Sequence, residues 1–270
     1  MAPPVIALLT DFGEEDFFVA SLKAVILSLN PEVRIVDISH RTPPFDIDAG
    51  GFVLFAAYKY FPENTIFVAI VDPGVGTERR ILLVNTEKYF FIAPDNGVLS
   101  LALSKEKVHQ VRQITNPAFF LTPTSQTFEG RDKMAPAAAW LSKGTWIEAF
   151  GPVVKSYKKR KIQKAEMEGG EIRGRVLYAD KFGNLITNIP ADLMRRLAAQ
   201  QGKGRPALFV GEKRYGGWRE NYSEAEKGEV FFLAGSLGLI EISAREQSAA
   251  LKIGSRPGQE IKIAVARGKR

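Results

Sequence analysis

Cysteine is absent from the 270 residues, and histidine occurs only twice. The first absence excludes disulfides, thiolate nucleophiles and thiolate metal sites, and the second leaves little for zinc. Any catalysis has to come from oxygen and nitrogen groups. Long apolar runs are missing too. The amino-terminal stretch "MAPPVIALLTDFGEED" has five consecutive apolar residues followed by acids, too few for a membrane span or a signal-peptide core. The expectation is a cytoplasmic protein with no membrane partner.

What is present is an ordinary globular composition. Apolar residues make up 45% of the chain, enough to bury a sizeable core, and the length suits two domains. The net charge of +7 is uneven: residues 1–150 carry 13 basic and 17 acidic side chains, residues 151–270 carry 24 and 13. Much of the excess lies in "KSYKKRKIQK" at 155–164 and in the final "RGKR", short solvated runs of the kind that mark a linker and a tail. No nucleic-acid-binding motif accompanies them, so no nucleic-acid partner is expected.

The first half alternates. "VIALLTD" reads as a strand, "DFFVASLKAVILSLN" as a helix, "VRIVDIS" as a strand and "DIDAGGFVLFAAYKY" as a helix; "TIFVAIVD", "ILLVNTE" and "YFFIAPD" then read as strands. This pattern implies a mostly parallel sheet with helices on its faces. "DKMAPAAAWLSKG" reads as a short helix ended by Gly144. The second half carries short strands at close spacing ("EIRGRVLYAD", "LITNI", "PALFVG", "EVFFLAG", "GLIEIS", "EIKIAV") and one helical segment, "PADLMRRLAAQQG", closed by a glycine. Such spacing suits a small antiparallel barrel or sandwich. The expected organisation is an N-terminal α/β domain over 1–154, a basic linker over 155–168 and a C-terminal β domain over 169–270.

Acids gather where strands should end. "TIFVAIVD" is β-branched and almost continuously apolar, which reads as a strand buried on both faces with Asp72 emerging at its end. In the following "VDPGVGTERR", Gly74 and Gly76 allow a tight turn, and Arg79 folds back toward Asp72. Either the loop cradles phosphate, or an arginine-held carboxylate stands beside a small-molecule site. Asp11 in "LLTDFG" and Asp95 in "IAPDNG" fall at comparable strand ends, where open α/β sheets bind ligands. Neither G-x-x-x-x-G-K nor G-x-G-x-x-G occurs at these loops, and acids repel phosphate; they suit a sugar diol, a cation or magnesium. Each acid also has a purely structural reading: Asp11 as a helix cap, Asp72 as an Asp-Pro turn, Asp95-Asn96-Gly97 as turn chemistry. His40 in "DISHRTPPFD" reads as a turn or packing histidine.

The motifs "LLTDFG", "DISHRTPPFDIDAGGFVL", "VDPGVGTERR", "APDNGVLS", "TFEGRDKMAPAAA", "YADKFGNLITNI" and "GSLGLIEI", in this order over about residues 5–265, resemble those of the S-adenosylmethionine hydroxide adenosyltransferases, relatives of the fluorinating and chlorinating enzymes. The resemblance implies an N-terminal, mostly parallel α/β sandwich domain carrying the ribose and nucleophile sites. It implies a C-terminal antiparallel β-barrel carrying methionine and adenine contacts, and a homotrimer whose substrate lies between one subunit's N-domain and a neighbour's C-domain. The implied reaction is S-adenosyl-L-methionine plus water giving adenosine and L-methionine, with no cofactor and no metal. Asp11 is implied to hold the ribose hydroxyls, with Asn96 a further substrate contact. Asp180, Asn184 and Ser236 are implied to hold the methionine amino and carboxylate groups. The aspartate of "DKFGN" stands one residue closer to "FGN" than in the halogenases, and Leu237 replaces their arginine.

Within this resemblance Asp72 and Arg79 are two members of an Asp-Arg-His set that orients a water-derived nucleophile. A carboxylate there repels halide, which favours hydrolysis. The third position holds Glu129 in "TFEGRD". A glutamate can accept a proton as histidine can, and beside Asp72 it is expected to raise one carboxyl pKa and leave the pair sharing a proton, partly offset by Arg79. Its plain alternative is an exposed loop acid. Two other functions stay open: an S-adenosylmethionine- or adenosine-binding protein with little turnover, and a magnesium-dependent hydrolase using Asp11, Asp72 and Asp95.

Overall fold

The computed structural model describes residues 3–201 and 206–265; the final "RGKR" and the glycine expected to close the "PADLMRRLAAQQG" helix lie outside the described residues. The chain divides into two compact units, Met1–Ile162 and Gln163–Arg270.

In the first unit, strands β1 (Val5–Thr10), β2 (Arg34–Ser39), β3 (Ile66–Ile70), β4 (Ile81–Thr86), β5 (Phe90–Pro94) and β6 (Val108–Gln113) form one sheet in the order β2-β1-β3-β5-β4-β6. The pairs β1–β2, β1–β3 and β3–β5 are parallel, and β4 runs antiparallel to both neighbours. The reversal follows from chain length: only the short turn after Thr86 separates β4 from β5, and a parallel crossover needs a dozen residues or more. Strand β6 escapes a reading by apolar runs because "VHQVRQ" is an edge strand with only Val111 buried.

Alternate residues of the central strands feed different cores. Ile66, Val68 and Ile70 join Leu22 and Ile26 of α1 (Phe18–Leu29) on one face. Phe67 and Ala69 join Leu54 of α2 (Ile47–Ala57) and Ala102 of α3 (Ser100–Leu103) on the other. A π-turn over Gly130–Met134 leads into α4 (Ala135–Ser142), which packs on the first face. Helix α2 is capped by Asp46, whose side chain accepts from the Ala49 N–H at 2.9 Å. It lies so close to the loop after β5 that a Cβ on Gly51 would sit 2.8 Å from the Val98 carbonyl oxygen.

Part of the basic run is held against this unit. Arg80 Nη2 donates to the Ser156 carbonyl at 2.8 Å, the Lys158 N–H donates to Asp95 Oδ1 at 2.7 Å, and Arg160 pairs with Asp48.

In the second unit every pair of named strands is antiparallel. Strands β7 (Glu166–Glu168), β8 (Glu171–Ala179), β9 (Leu185–Pro190), β10 (Pro206–Val210), β11 (Lys213–Gly217), β12 (Val230–Ala234), β13 (Leu239–Ala244) and β14 (Glu260–Val265) run β11-β10-β14-β8-β9-β13-β12, with β7 also on β8. The sheet rolls into a nearly closed barrel, because Trp218 just after β11 bridges Phe232 of β12 and the Arg219 N–H donates to the Phe232 carbonyl at 3.0 Å. Inside lie Ile172, Val176, Leu185, Phe232, Ile242 and Ile263, with helices α5 (Ala191–Gln201) and α6 (Ala249–Ile253) packed on the same core.

Barrel closure sets a steric demand at one residue. A Cβ on Gly216 would lie 1.7 Å from the Val230 carbonyl oxygen, so Gly216→Ala must push β11 away from β12. Overpacking of this kind costs about 1–3 kcal/mol. We expect a lower unfolding midpoint in a thermal scan, and an unchanged midpoint would show that β11 can move aside freely.

Candidate active site

Asp11, Asp72 and Asp95 follow β1, β3 and β5, which are adjacent and parallel, so all three emerge at one edge of the sheet. Their surroundings then separate them.

Asp72 is the most tightly held. The turn expected in "VDPGVGTERR" forms, with the Val75 N–H on the Asp72 carbonyl, the Thr77 N–H on the Gly74 carbonyl and Gly76 at φ 80°. This brings Arg79 back onto the acid. Arg79 Nε donates to Asp72 Oδ2 at 2.7 Å and its Nη2 lies 2.5 Å from the same oxygen; Asp72 Oδ1 accepts from the Gly74 N–H at 3.2 Å. Arg79 Nη2 also forms an ion pair with Glu129 Oε2, and Glu129 Oε1 is taken by Lys133 Nζ. The side chains of Asp72, Arg79 and Glu129 are each less than a tenth exposed. The carboxylate-held-by-arginine reading of the loop therefore stands, and Glu129 is not an exposed loop acid.

One expectation is corrected. The carboxylates of Asp72 and Glu129 do not meet each other, because the Arg79 guanidinium stands between them. Burial pushes Glu129 up, but the Lys133 hydrogen bond and the Arg79 and Lys133 charges outweigh it and hold Glu129 below its ordinary value. Arg79 is itself buried, which lowers its pKa, yet the two carboxylates raise it on balance. Lys133 is the residue a motif-based reading passes over. Its spacing of four from Glu129 at a helical start was the available signal.

Asp11 has no cation beside it among the described residues. Its Oδ2 accepts from the Phe45 N–H at 2.8 Å. Burial raises its pKa, backbone hydrogen bonds offset part of that, and the Asp72 charge adds to the rise. A half-buried carboxylate with unused lone pairs is suited to accept from a ligand hydroxyl pair. Behind it His40 is buried, with Nδ1 2.8 Å from Thr10 Oγ1 and Nε2 3.0 Å from Asp37 Oδ1. It is a packing histidine tying the "DISH" strand end to the "TDFG" turn.

Asp95 serves the fold: Arg80 Nε and Nη2 donate to its Oδ2 at 2.9 and 2.5 Å, and Lys158 N–H fills Oδ1. The neighbouring Asn96 spends its amide on the backbone, donating to the Val71 carbonyl at 2.7 Å and accepting from the Val98 N–H at 3.1 Å. It braces the end of β3 against the end of β5. The magnesium reading finds no support in this arrangement, since Asp72 and Asp95 are each closed by their own arginine and no group of three or more acids or histidines among the described residues is arranged around a common point.

In the second unit, Asp180 and Asn184 share the turn between β8 and β9. Asp180 Oδ1 accepts from the N–H groups of Phe182 and Asn184, each at 2.9 Å, and Asn184 Nδ2 donates to Asp180 Oδ2 at 2.9 Å. The turn absorbs much of Asp180 and leaves the side-chain oxygen of Asn184, Oδ1, as an acceptor. Ser236 is exposed on the turn between β12 and β13, which adjoins the far end of β9 through the Ala191 N–H on the Gly238 carbonyl at 2.9 Å.

Removing Arg79 would leave two buried carboxylates against one partly exposed lysine. Breaking a buried ion pair costs about 3–5 kcal/mol, so Arg79→Met should lose about that much unfolding free energy at neutral pH. The loss should shrink in acid. Glu129, whose folded value lies below its ordinary 4.5, contributes stability above that pH and gives it up as pH falls through the folded value. Urea unfolding across pH checks this, and an Arg79→Met protein as stable as the parent would rule the bridge out.

Comparisons with known proteins agree over most of the chain. The family model for the SAM hydroxide adenosyltransferase N-terminal domain matches residues 6–151, and that for the C-terminal domain matches residues 174–262. A Thermus thermophilus protein named (R)-S-adenosyl-L-methionine hydrolase is 33% identical over 262 residues, 94% of this chain and 97% of that one. A protein of an Actinoplanes species named fluorinase is 27% identical over 213 residues, 69% of this chain and 72% of that one. The crystal structure of an uncharacterized conserved protein from Thermotoga maritima superposes with a TM-score of 0.91 at 35% identity, over 96% of this chain and 99% of that one. Both units carry the likeness, in order, and the chain belongs to the SAM hydroxide adenosyltransferase family.

Proposed function

We propose that this protein hydrolyses S-adenosyl-L-methionine to adenosine and L-methionine, with water attacking the ribose 5′ carbon. The observation that carries the reading is Asp72, a buried carboxylate fixed by Arg79 at the end of β3, one strand from the uncommitted carboxylate of Asp11. In this reading Asp11 takes the ribose hydroxyls and Asp72 receives the proton of the attacking water. The C–S bond breaks as the C–O bond forms, and the electron pair leaves on a neutral thioether sulfur. No general acid is needed at that leaving group, so the residues have only to place and deprotonate the nucleophile. A negative charge at Asp72 favours a sulfonium substrate and disfavours halide as the attacking species. Arg79 orients Asp72, and Asn96 positions the strand ends. Asp180 and Asn184 take the methionine end, Ser236 stands apart from them at the far end of β9 in the same subunit, and the working assembly is a homotrimer.

A second reading rests on one observation. Both Glu129 oxygens are engaged by cations, which leaves this position without a free base and suits a protein that binds S-adenosylmethionine or adenosine with little turnover. Product formation separates the two readings. Chromatography of the protein incubated with S-adenosyl-L-methionine should show adenosine and methionine in equal amounts, and Asp72→Asn should lower turnover by about 10²-fold or more. Binding without products at any pH would establish the second reading.

The ribose assignment has its own test. Asp11→Ala should weaken adenosine binding by roughly 10- to 150-fold, the equivalent of about 1.5–3 kcal/mol for a charge-assisted hydrogen bond. Calorimetry giving equal affinities would remove Asp11 from the ribose.

A further inference from the structure

The Asp72 side chain ends a line of four charged groups of alternating sign. Lys133 Nζ meets Glu129 Oε1, Glu129 Oε2 meets Arg79 Nη2, and Arg79 Nε and Nη2 meet Asp72 Oδ2. Two cations and two carboxylates cancel, and the last three groups lie almost wholly out of water. Lys133 is the outermost member, about a quarter exposed, with its ammonium 5.6 Å from the centre of the Phe120 ring.

We infer that Lys133 is a positioning residue for the reaction: by pairing with Glu129 it keeps that carboxylate turned onto Arg79, which fixes Arg79 in the orientation that holds Asp72 for the attacking water. The inference rests on the hydrolytic reading for its catalytic part and on geometry alone for its structural part. Without Lys133, one guanidinium faces two buried carboxylates, and in a poorly solvated place a net negative group of three is relieved by protonating one of them. Glu129 has the weaker hold on Arg79, since Asp72 accepts a hydrogen bond from Arg79 Nε with Nη2 beside the same oxygen, whereas Glu129 is only ion-paired with Nη2. It is the carboxylate that takes the proton, and once neutral it no longer anchors Arg79. The remaining charges nearby do not substitute for Lys133. Arg131 is bound to Asp132 on the same turn, with Nε 2.6 Å from Oδ1. Asp132 also accepts from the Ser125 N–H, and Asp11 adds only negative charge.

This accounts for how a glutamate can occupy a position where a histidine would need no counter-charge. Glu129 and Lys133 act as a unit: the acid supplies the second anchor for Arg79, and the base, one helical turn on, keeps the acid ionised.

The test is a double-mutant cycle on the full-length protein with Lys133→Met, Glu129→Gln and the pair, plus Lys133→Arg as the conservative variant. Without substrate, urea unfolding at neutral pH should show coupling, the double variant losing less than the sum of the two single losses. With S-adenosyl-L-methionine, Lys133→Met should move the acid limb of kcat upward by about one pH unit, with KM changed less than kcat. Lys133→Arg should restore the parental limb, and adding Glu129→Gln to Lys133→Met should abolish the shift. Additive stabilities, or an unmoved limb in Lys133→Met, would overturn the inference. If the parent protein releases no adenosine, the hydrolytic reading fails, the catalytic role of Lys133 falls with it, and the unfolding cycle still decides the ion pair.

Discussion

A strand buried on both faces is the constraint from which the first unit follows. Ile66, Val68 and Ile70 of β3 enter one core while Phe67 and Ala69 enter the other, so helices are needed on both sides and neighbours on both edges. Parallel neighbours stand on both edges: β1 is joined to β3 through α1, β2 and α2, whose helices cover the faces, and β5 is reached through the β4 hairpin. The same arrangement exports the polar residues to one place. A carboxylate cannot sit within such a strand without great cost, and Asp72 stands where the chain first leaves the sheet. Asp11 and Asp95 follow at the ends of the flanking strands.

Residue type alone does not distinguish these acids, but their partners do. Arg79 and Arg80 are adjacent in sequence and turn to different carboxylates: Arg79 to Asp72 and Glu129, Arg80 to Asp95 and the Ser156 carbonyl. Asp95 is thereby spent on holding the basic segment against the first unit. Asp72 is oriented but keeps its place at the site, and Asp11 has only a backbone partner on Oδ2. Across three neighbouring strand ends, Asp72 and Asp95 are each held by an arginine and a backbone N–H, and Asp11 is left without a cation.

The family likeness covers both units, and Glu129 stands where the sequence resemblance implies a histidine. An acid beside Asp72 adds a charge that one arginine cannot balance, and Lys133 at the next helical turn supplies the second cation. The barrel shows a comparable economy: Asn184 keeps one acceptor free while the rest of the "DKFGN" motif closes its own turn.

Much of this was written in local sequence. The alternation of apolar segments determined the α/β character of the first unit, the β-branched run before Asp72 determined a doubly buried strand, and the closely spaced short strands determined an antiparallel second unit, because burial period and chain length act over a few residues. The glycines and arginines of "VDPGVGTERR" determined a loop returning onto its own acid for the same reason. The edge strand β6, with one buried residue, carried too weak an apolar signal to be read. Only the tertiary structure decided which arginine meets which acid, that Asn96 braces two strand ends, and that Glu129 is ionised between Arg79 and Lys133. These pairings join segments that are distant in the chain, and the protonation state of a buried carboxyl depends on every charge the fold brings beside it.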